Sequence, residues 1–94
     1  MYYVYLLQLS NGNVYTGSTG NLRERLAEHE RGNVDSTRNK RPVKLIHYEA
    51  YLLKSDAQRR ERFLKTTEGK RLLRQQIKDY LRSLSSKSQA ERFD

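Results

Sequence analysis

The chain lacks cysteine and tryptophan altogether, and its 94 residues include only one proline and one methionine. Without cysteine it can form no disulfide, no cysteine-ligated zinc site and no thiol nucleophile. No apolar run approaches the ~20 residues of a membrane-spanning helix, and the amino-terminal segment has neither the basic region nor the cleavage site of a signal peptide. We therefore expect a soluble, cytoplasmic protein that does not interact with membranes.

Acidic residues are also few, since 11 Asp and Glu accompany 19 Lys and Arg, for a net charge of +8. Such an excess favours a polyanionic partner, with nucleic acid first. Large aliphatic residues are scarce, so the seven tyrosines must supply much of a small core, which leaves no room for an organic cofactor. The length fits one domain, which we assign to residues 1–84. We expect the polar residues 85–94 to form a disordered tail.

The spacing of apolar residues predicts six main elements. Three segments have the apolar, β-branched and aromatic composition of strands: residues 2–9, 13–17 and 43–51. Three others have the apolar spacing of helices: residues 21–31, 56–65 and 68–84. The order ββαβαα predicts an α+β fold, a single small domain whose three-stranded, mainly antiparallel sheet is flanked by helices.

Glu61 lies where an apolar residue would serve the core better. At 100° per residue, Ala57, Glu61 and Leu64 fall on one stripe of the second predicted helix. A buried carboxylate is costly unless it is paired or binds a metal. The spacing therefore leaves two interpretations: a boundary residue paired with Arg60 or Lys65, or a metal ligand.

Arg25 and His29 project together from the first predicted helix, because they are four residues apart. Both flank the apolar stripe formed by Leu22 and Leu26. Taken alone, such an arginine commonly extends its head into water, and such a histidine is commonly structural. Together with the carboxylate of Glu61, they indicate a phosphate site, since arginine recognises phosphate bidentately.

The tyrosines complete a recognisable order of motifs. Tyr3-Val4-Tyr5 is followed, ten residues after its last tyrosine, by Tyr15-Thr16-Gly17. Arg25 with His29 and then Glu61 come on later elements. This order resembles the signature of the GIY-YIG nuclease superfamily over roughly residues 2–82, although the first motif begins with tyrosine instead of glycine. The likeness is greatest to its short single-domain members, relatives of the nuclease domain in the bacterial excision-repair subunit that incises damaged DNA.

The resemblance implies a metal-dependent endonuclease that hydrolyses phosphodiester bonds of DNA, in repair or recombination. It implies that Glu61 holds one Mg²⁺ or Mn²⁺ ion that is largely coordinated by water, and that Arg25 clamps the scissile phosphate. Tyr5 or Tyr15 would accept the proton of the attacking water, and the sequence does not decide between them. His29 would assist that tyrosine or bind phosphate.

The same mechanism requires both phenols near one site, which constrains the first hairpin. A two-residue loop at Asn11-Gly12 would put Tyr15 and Tyr5 on opposite faces of the sheet, because paired residues share a face. A three-residue loop would set Tyr15 opposite Leu9, on the face of Tyr5. We therefore predict a three-residue or bulged turn.

Four basic residues are candidates for contacting the nucleic acid backbone: Arg38, Lys40, Arg41 and Arg60. Basic runs are often merely solvated faces, so this interpretation competes with a purely structural one. Two functions then remain. One is an active endonuclease, structure-selective or weakly specific and monomeric; the other is a non-catalytic nucleic-acid-binding module or adaptor that keeps the nuclease fold. The intact set of site residues favours the enzyme, because a pure binder needs no inward carboxylate.

Overall fold

The computed structural model describes residues 1–84, so the predicted tail at 85–94 lies outside the described residues. Its sheet contains three strands: β1 (Tyr2–Gln8), β2 (Val14–Thr19) and β3 (Lys44–Tyr51). Both neighbours pair antiparallel with β1, which lies in the centre. The predicted α+β class and the three-stranded antiparallel sheet are confirmed.

The hairpin between β1 and β2 has the predicted three-residue loop, but it begins one residue earlier. Leu9 and Asn13 close the loop through a 2.8 Å backbone hydrogen bond, and Gly12 takes the left-handed conformation, with φ at +87°. Tyr15 consequently pairs with Leu7, so its predicted pairing with Leu9 is wrong. The shift is two residues, which leaves the facing unchanged, and the two phenols share a face as predicted.

Two helices connect β2 to β3, namely α1 (Leu22–Arg31) and the one-turn α2 (Asp35–Arg38). The side chain of Asn21 caps α1: it accepts a hydrogen bond from the backbone N–H of Glu24 and donates one to the Glu24 carboxylate. Gly32 ends α1 in the left-handed conformation. No helix within residues 1–84 is long and apolar enough to cross a bilayer.

Three helices follow β3: α3 (Lys54–Leu64), α4 (Thr67–Gln76) and α5 (78–84). The single helix predicted over 68–84 is therefore wrong, because Ile77 leaves helical geometry with φ at −109° and ψ at 28°. Thr66 caps α4 by accepting a hydrogen bond from the N–H of Gly69. Residues 1–63 form one compact unit, and a second unit begins at Leu64.

The central strand is buried on both faces within the first unit. Val4, Tyr5, Leu6 and Leu7 are each at most 1% exposed. Since side chains alternate along a strand, Tyr5 and Leu7 point to one face, where Leu22 and Leu26 of α1 pack. Val4 and Leu6 point to the other face.

On that second face, Glu49 anchors α3 to β3. The guanidinium of Arg60 donates two hydrogen bonds to its carboxylate, at 2.9 and 3.2 Å, and the Tyr51 hydroxyl donates a third at 2.6 Å. His47 contacts the same carboxylate at 3.0 Å. Burial alone would raise the pKa of Glu49, but these partners outweigh it and bring the pKa to about 2. The sheet thus carries α1 on one face and α3 on the other.

Candidate active site

A buried series of three side chains forms the interior of the candidate site. The hydroxyl oxygen of Tyr5 lies 2.8 Å from Nε2 of His29, and Nδ1 of His29 lies 2.8 Å from Oγ1 of Thr37. All three residues are completely buried. Because α1 carries His29 and α2 carries Thr37, these contacts tie both helices to the central strand.

Gly17 makes room for the phenol of Tyr5. It is the partner of Tyr5 on β2, and a Cβ atom at this position would lie 2.6 Å from both Cζ and the hydroxyl oxygen of Tyr5. The ring therefore lies directly against the bare backbone of β2, where a larger residue would displace it. The close approach of Tyr5 is thus the steric reason why the Tyr15-Thr16-Gly17 motif has glycine at position 17.

Tyr15 lies beside this series on the same face, but only partly buried. Its ring centroid is 6.2 Å from that of Tyr5, and it meets the ring of His29 edge-on at 5.2 Å. The two phenols therefore differ in access to solvent. Tyr5 is sealed from water, whereas Tyr15 forms the outer surface of the cluster.

Arg25 supplies the positive charge of this face. Its guanidinium lies beside the Tyr5 hydroxyl, an interaction that raises the pKa of Arg25, and it forms an ion pair with Glu28 at 3.0 Å. The side chains of Arg25 and Glu28 are each 33% exposed. A guanidinium has five N–H donors, so Arg25 retains donors for an anion from solvent.

Burial keeps the interior of the site uncharged. It raises the pKa of Tyr5 to about 12, against the opposing effect of Arg25. It also lowers the pKa of His29, and the positive charge of Arg25 acts in the same direction. At neutral pH the phenol of Tyr5 is therefore protonated and the imidazole of His29 is neutral.

Glu61 approaches the same edge strand from the opposite face. Its carboxylate accepts a hydrogen bond of 2.6 Å from the hydroxyl of Ser18, and Ser18 pairs with Val4 on the face that α3 covers. Consecutive strand residues point to opposite faces, so β2 separates the carboxylate of Glu61 from the phenol over Gly17. The structure brings the other four predicted site residues together and places Glu61 across the strand.

The surroundings of Glu61 fit a cation that retains its water shell. A carboxylate and a hydroxyl are the hard oxygen donors that Mg²⁺ prefers. Within residues 1–84 there is no cluster of three or more Asp, Glu, His or Cys side chains that could enclose a metal. An ion at Glu61 would therefore take one protein carboxylate and keep most of its ligands as water.

The four basic residues predicted to contact nucleic acid differ in their surroundings. Arg41 donates to the backbone carbonyls of Arg38 and Glu30, and Arg60 is held by its bidentate ion pair with Glu49. The pairing of Arg60 with Glu61 that the sequence allowed is therefore wrong. Arg38 is exposed and lies 3.3 Å from Asp35, and Lys40 is exposed as well. Phosphate contact stays a prediction for all four.

Sequence reasoning missed two residues of this site, Thr37 and Ser18. Thr37 lies in the polar segment 32–42, where no apolar period marks a buried position. Ser18 follows the Tyr15-Thr16-Gly17 motif, and the predicted strand ended one residue before it. Had β2 been extended to Thr19, alternation would have placed Ser18 on the face opposite Tyr15.

Comparison with known proteins identifies the family of the chain. Residues 1–76 match the family model described as the GIY-YIG catalytic domain. The chain belongs to the GIY-YIG family. A UPF0213 protein of Halobacterium salinarum is 44% identical over 62 residues, which cover 65% of this chain and 80% of that protein. A UPF0213 protein of Clostridium perfringens is 41% identical over 66 residues, which cover 69% and 71%.

A solved relative has the same fold. The solution NMR structure of a UPF0213 protein from Bacillus halodurans is 32% identical, covers 78% of this chain and 82% of its own, and has a TM-score of 0.50. Membership of the GIY-YIG family places the chain in a nuclease superfamily with nucleic acid as the substrate class.

Proposed function

We propose that this GIY-YIG protein is a metal-dependent endonuclease that hydrolyses phosphodiester bonds of DNA. The proposal rests on one observation, that a buried polar cluster and a carboxylate lie on opposite faces of the edge strand β2. The buried pair of Tyr5 and His29 lies on one face beside the partly exposed Arg25, and the half-buried carboxylate of Glu61 lies at Ser18 on the other. A pure nucleic-acid binder needs neither feature.

Arg25 binds the scissile phosphate in this proposal. A phosphodiester resists attack because it is anionic, so its charge must be neutralised and the attacking water oriented. The ion pair with Glu28 competes only weakly, since both side chains are one-third exposed and exposed pairs contribute little. A phosphate at the edge of β2 would therefore take the free donors of the guanidinium.

Tyr15 is the phenol that we assign to the attacking water. A general base must come within hydrogen-bond reach of the proton that it removes, and Tyr5 is completely buried whereas Tyr15 reaches the surface. Tyr5 and His29 would then pack against the inner side of Tyr15 and hold its ring in position. The high pKa of Tyr5, about 12, agrees with a residue that stays protonated in the resting protein.

Glu61 would hold Mg²⁺ or Mn²⁺, with the Ser18 hydroxyl orienting its carboxylate. When bound, the ion would stabilise the negative charge that develops on the phosphate and the leaving oxygen. The role of Glu61 is to supply one anionic ligand at the edge of β2 while leaving the remaining coordination to water.

Nicking of plasmid, duplex, branched and single-stranded DNA with Mg²⁺ or Mn²⁺ tests the proposal. We expect the wild-type protein to cleave, and Glu61→Gln and Arg25→Ala each to reduce the rate by about a hundredfold or more. Glu61→Gln should still bind DNA, whereas Arg25→Ala should bind more weakly because a phosphate contact is lost. Glu30→Gln is the matched control, since it makes the same change at an exposed position.

Absence of cleavage by the folded wild-type protein on every substrate would contradict the proposal. If such a protein still bound DNA, the non-catalytic binding module would be the better interpretation. Cleavage that persists unchanged in Glu61→Gln would remove the metal-ligand role of Glu61.

A further inference from the structure

We infer that the open groove between α1 and β3 is a second nucleic-acid site, which binds an unpaired base of a DNA strand by stacking it on Tyr48. The inference rests on the proposed function in taking DNA as the nucleic acid, but the groove has no part in the hydrolysis. Its main residues are Tyr3, Tyr48 and Arg23, none of which belongs to the candidate active site.

The groove lies on the sheet face that carries α1, on the opposite side of that helix from the candidate active site. Tyr48 of β3 pairs with Tyr5 of β1, and paired residues share a face. Arg23 lines the groove, whereas Arg25 belongs to the candidate active site. At about 100° per residue, these two side chains leave α1 about 160° apart. A base in the groove would therefore leave Arg25 accessible to the scissile phosphate.

Two tyrosine rings and one wall of α1 form the groove. The rings of Tyr3 and Tyr48 have centroids 6.2 Å apart and planes inclined at 59°, and Leu22 and Leu26 line the helix side. Tyr48 is 55% exposed, although it lies on the face that α1 packs against, so its ring has surface available for a planar ligand. The groove has a volume of about 660 Å³, which lies within the range of sites for small molecules.

The chemistry of the groove favours a nucleobase over a purely apolar partner. Every base has an aromatic face that can stack on a tyrosine. The exposed guanidinium of Arg23 can donate to the edge of that base or to a phosphate beside it. The net charge of +8 attracts a polyanion, and nucleic acid is the substrate class of the family. An apolar peptide would make use of neither charge.

The base must be unpaired, because each base inside a duplex already stacks on its neighbours. Single-stranded segments expose base faces on which an aromatic side chain can stack. Binding in the groove would therefore favour DNA that has a single-stranded segment over a continuous duplex. This gives the structure selectivity of the proposed nuclease a physical basis at Tyr48.

Binding of single-stranded and duplex DNA, measured by fluorescence anisotropy without divalent metal, tests the inference independently of cleavage. Tyr48→Leu removes the ring at an exposed position, so we expect single-strand affinity to fall at least about fivefold and duplex affinity to change by less than about twofold. Tyr48→Phe keeps the ring and should bind like the wild type. A strand that contains 5-iododeoxyuridine should photocrosslink to Tyr48 or Tyr3 of the wild-type protein, as mapped by mass spectrometry.

Arg59→Gln is the charge-matched control for Arg23→Gln. Both changes remove one positive charge, but Arg59 lies on α3, on the other face of the sheet, with its side chain 69% exposed. A general loss of charge would weaken binding equally in the two variants, so we expect Arg23→Gln to bind single strands more weakly than Arg59→Gln.

Three results would overturn the inference: a wild-type protein that does not bind single strands, a Tyr48→Leu protein that binds them as the wild type does, or photoadducts confined to residues outside the groove. A wild-type dimer that becomes monomeric in Tyr48→Leu would also overturn it, because the groove would then bind a second copy of the chain. If the groove binds single strands as expected but no DNA is cleaved, the nuclease proposal fails and the inference stands. Cleavage with unchanged binding by Tyr48→Leu has the opposite meaning.

Discussion

Replacing Gly17 by alanine tests how firmly the phenol of Tyr5 is held over β2. The new Cβ atom would lie 2.6 Å from Cζ and from the hydroxyl oxygen of Tyr5, well inside the ~3.5–4.0 Å of an ordinary contact. The ring has no free path away, because Tyr5 is completely buried and hydrogen-bonded to His29. Either the ring or the β2 backbone must therefore move.

The cost follows from overpacking a filled interior. Such insertions destabilise proteins by about 1–3 kcal/mol, and in a domain of this size each kcal/mol lowers the unfolding temperature by about 4–8 °C. We expect Gly17→Ala to unfold roughly 5–20 °C below the wild type by circular dichroism. It should also lose cleavage, because the Tyr5 hydroxyl leaves its position at Nε2 of His29.

Gly20→Ala is the matched control for this experiment. A Cβ atom at Gly20 would approach Tyr2 no closer than 3.7 Å, an ordinary contact, so the change in stability should stay within about 0.5 kcal/mol. Equal unfolding temperatures for the Gly17→Ala and Gly20→Ala proteins would refute the steric account of the motif glycine.

Three further outcomes are expected. Glu49→Gln should lower the free energy of unfolding at pH 7 by up to about 3 kcal/mol. Because the folded pKa of Glu49 is depressed to about 2 from 4.5, this contribution is present above pH 4.5 and is lost as the pH falls toward 2, so urea unfolding should show wild-type and variant converging there. Arg25→Lys should lose cleavage about as severely as Arg25→Ala while binding DNA better than Arg25→Ala, since lysine keeps the charge without the bidentate fork. An Arg25→Lys protein that cleaves at the wild-type rate would exclude bidentate phosphate binding by Arg25. Lys40→Ala should weaken DNA binding and reduce the slope of log affinity against log salt by about 1, and an unchanged slope would exclude a phosphate contact.

Local rules predicted most of the sheet and the first helix. The β-type composition of the three strands and the apolar spacing of the first helix each depend on neighbours in the sequence, so their signals are visible there. The hairpin loop was misplaced by one residue because Gly12, not the dipeptide as a unit, determines where a three-residue loop closes. The left-handed conformation of Gly12 therefore sets the position of the loop.

Features set by contacts distant in sequence were not predictable. The break at Ile77 is invisible because Leu73, Ile77 and Tyr80 continue the apolar spacing of a helix through it. The sequence suggested an ion pair between Arg60 and its neighbour Glu61, but in the structure Arg60 pairs with Glu49, eleven residues away on β3. The contact of Ser18 with Glu61 spans 43 residues, and no local pattern encodes it.

In the proposed mechanism, the position of β2 allows a domain with so small a core to carry out hydrolysis. A fixed hydrogen-bond network needs exclusion of water, because donors that are already oriented need not reorganise when charge develops. A hydrated divalent ion needs the reverse, since it keeps most of its ligands as water. One strand separates Tyr5, sealed over Gly17, from Glu61 at Ser18, so the two environments lie on either side of a single backbone. A phosphodiester that reaches this edge from solvent would meet both without any enclosed cavity, and a long polymer could therefore bind and leave freely.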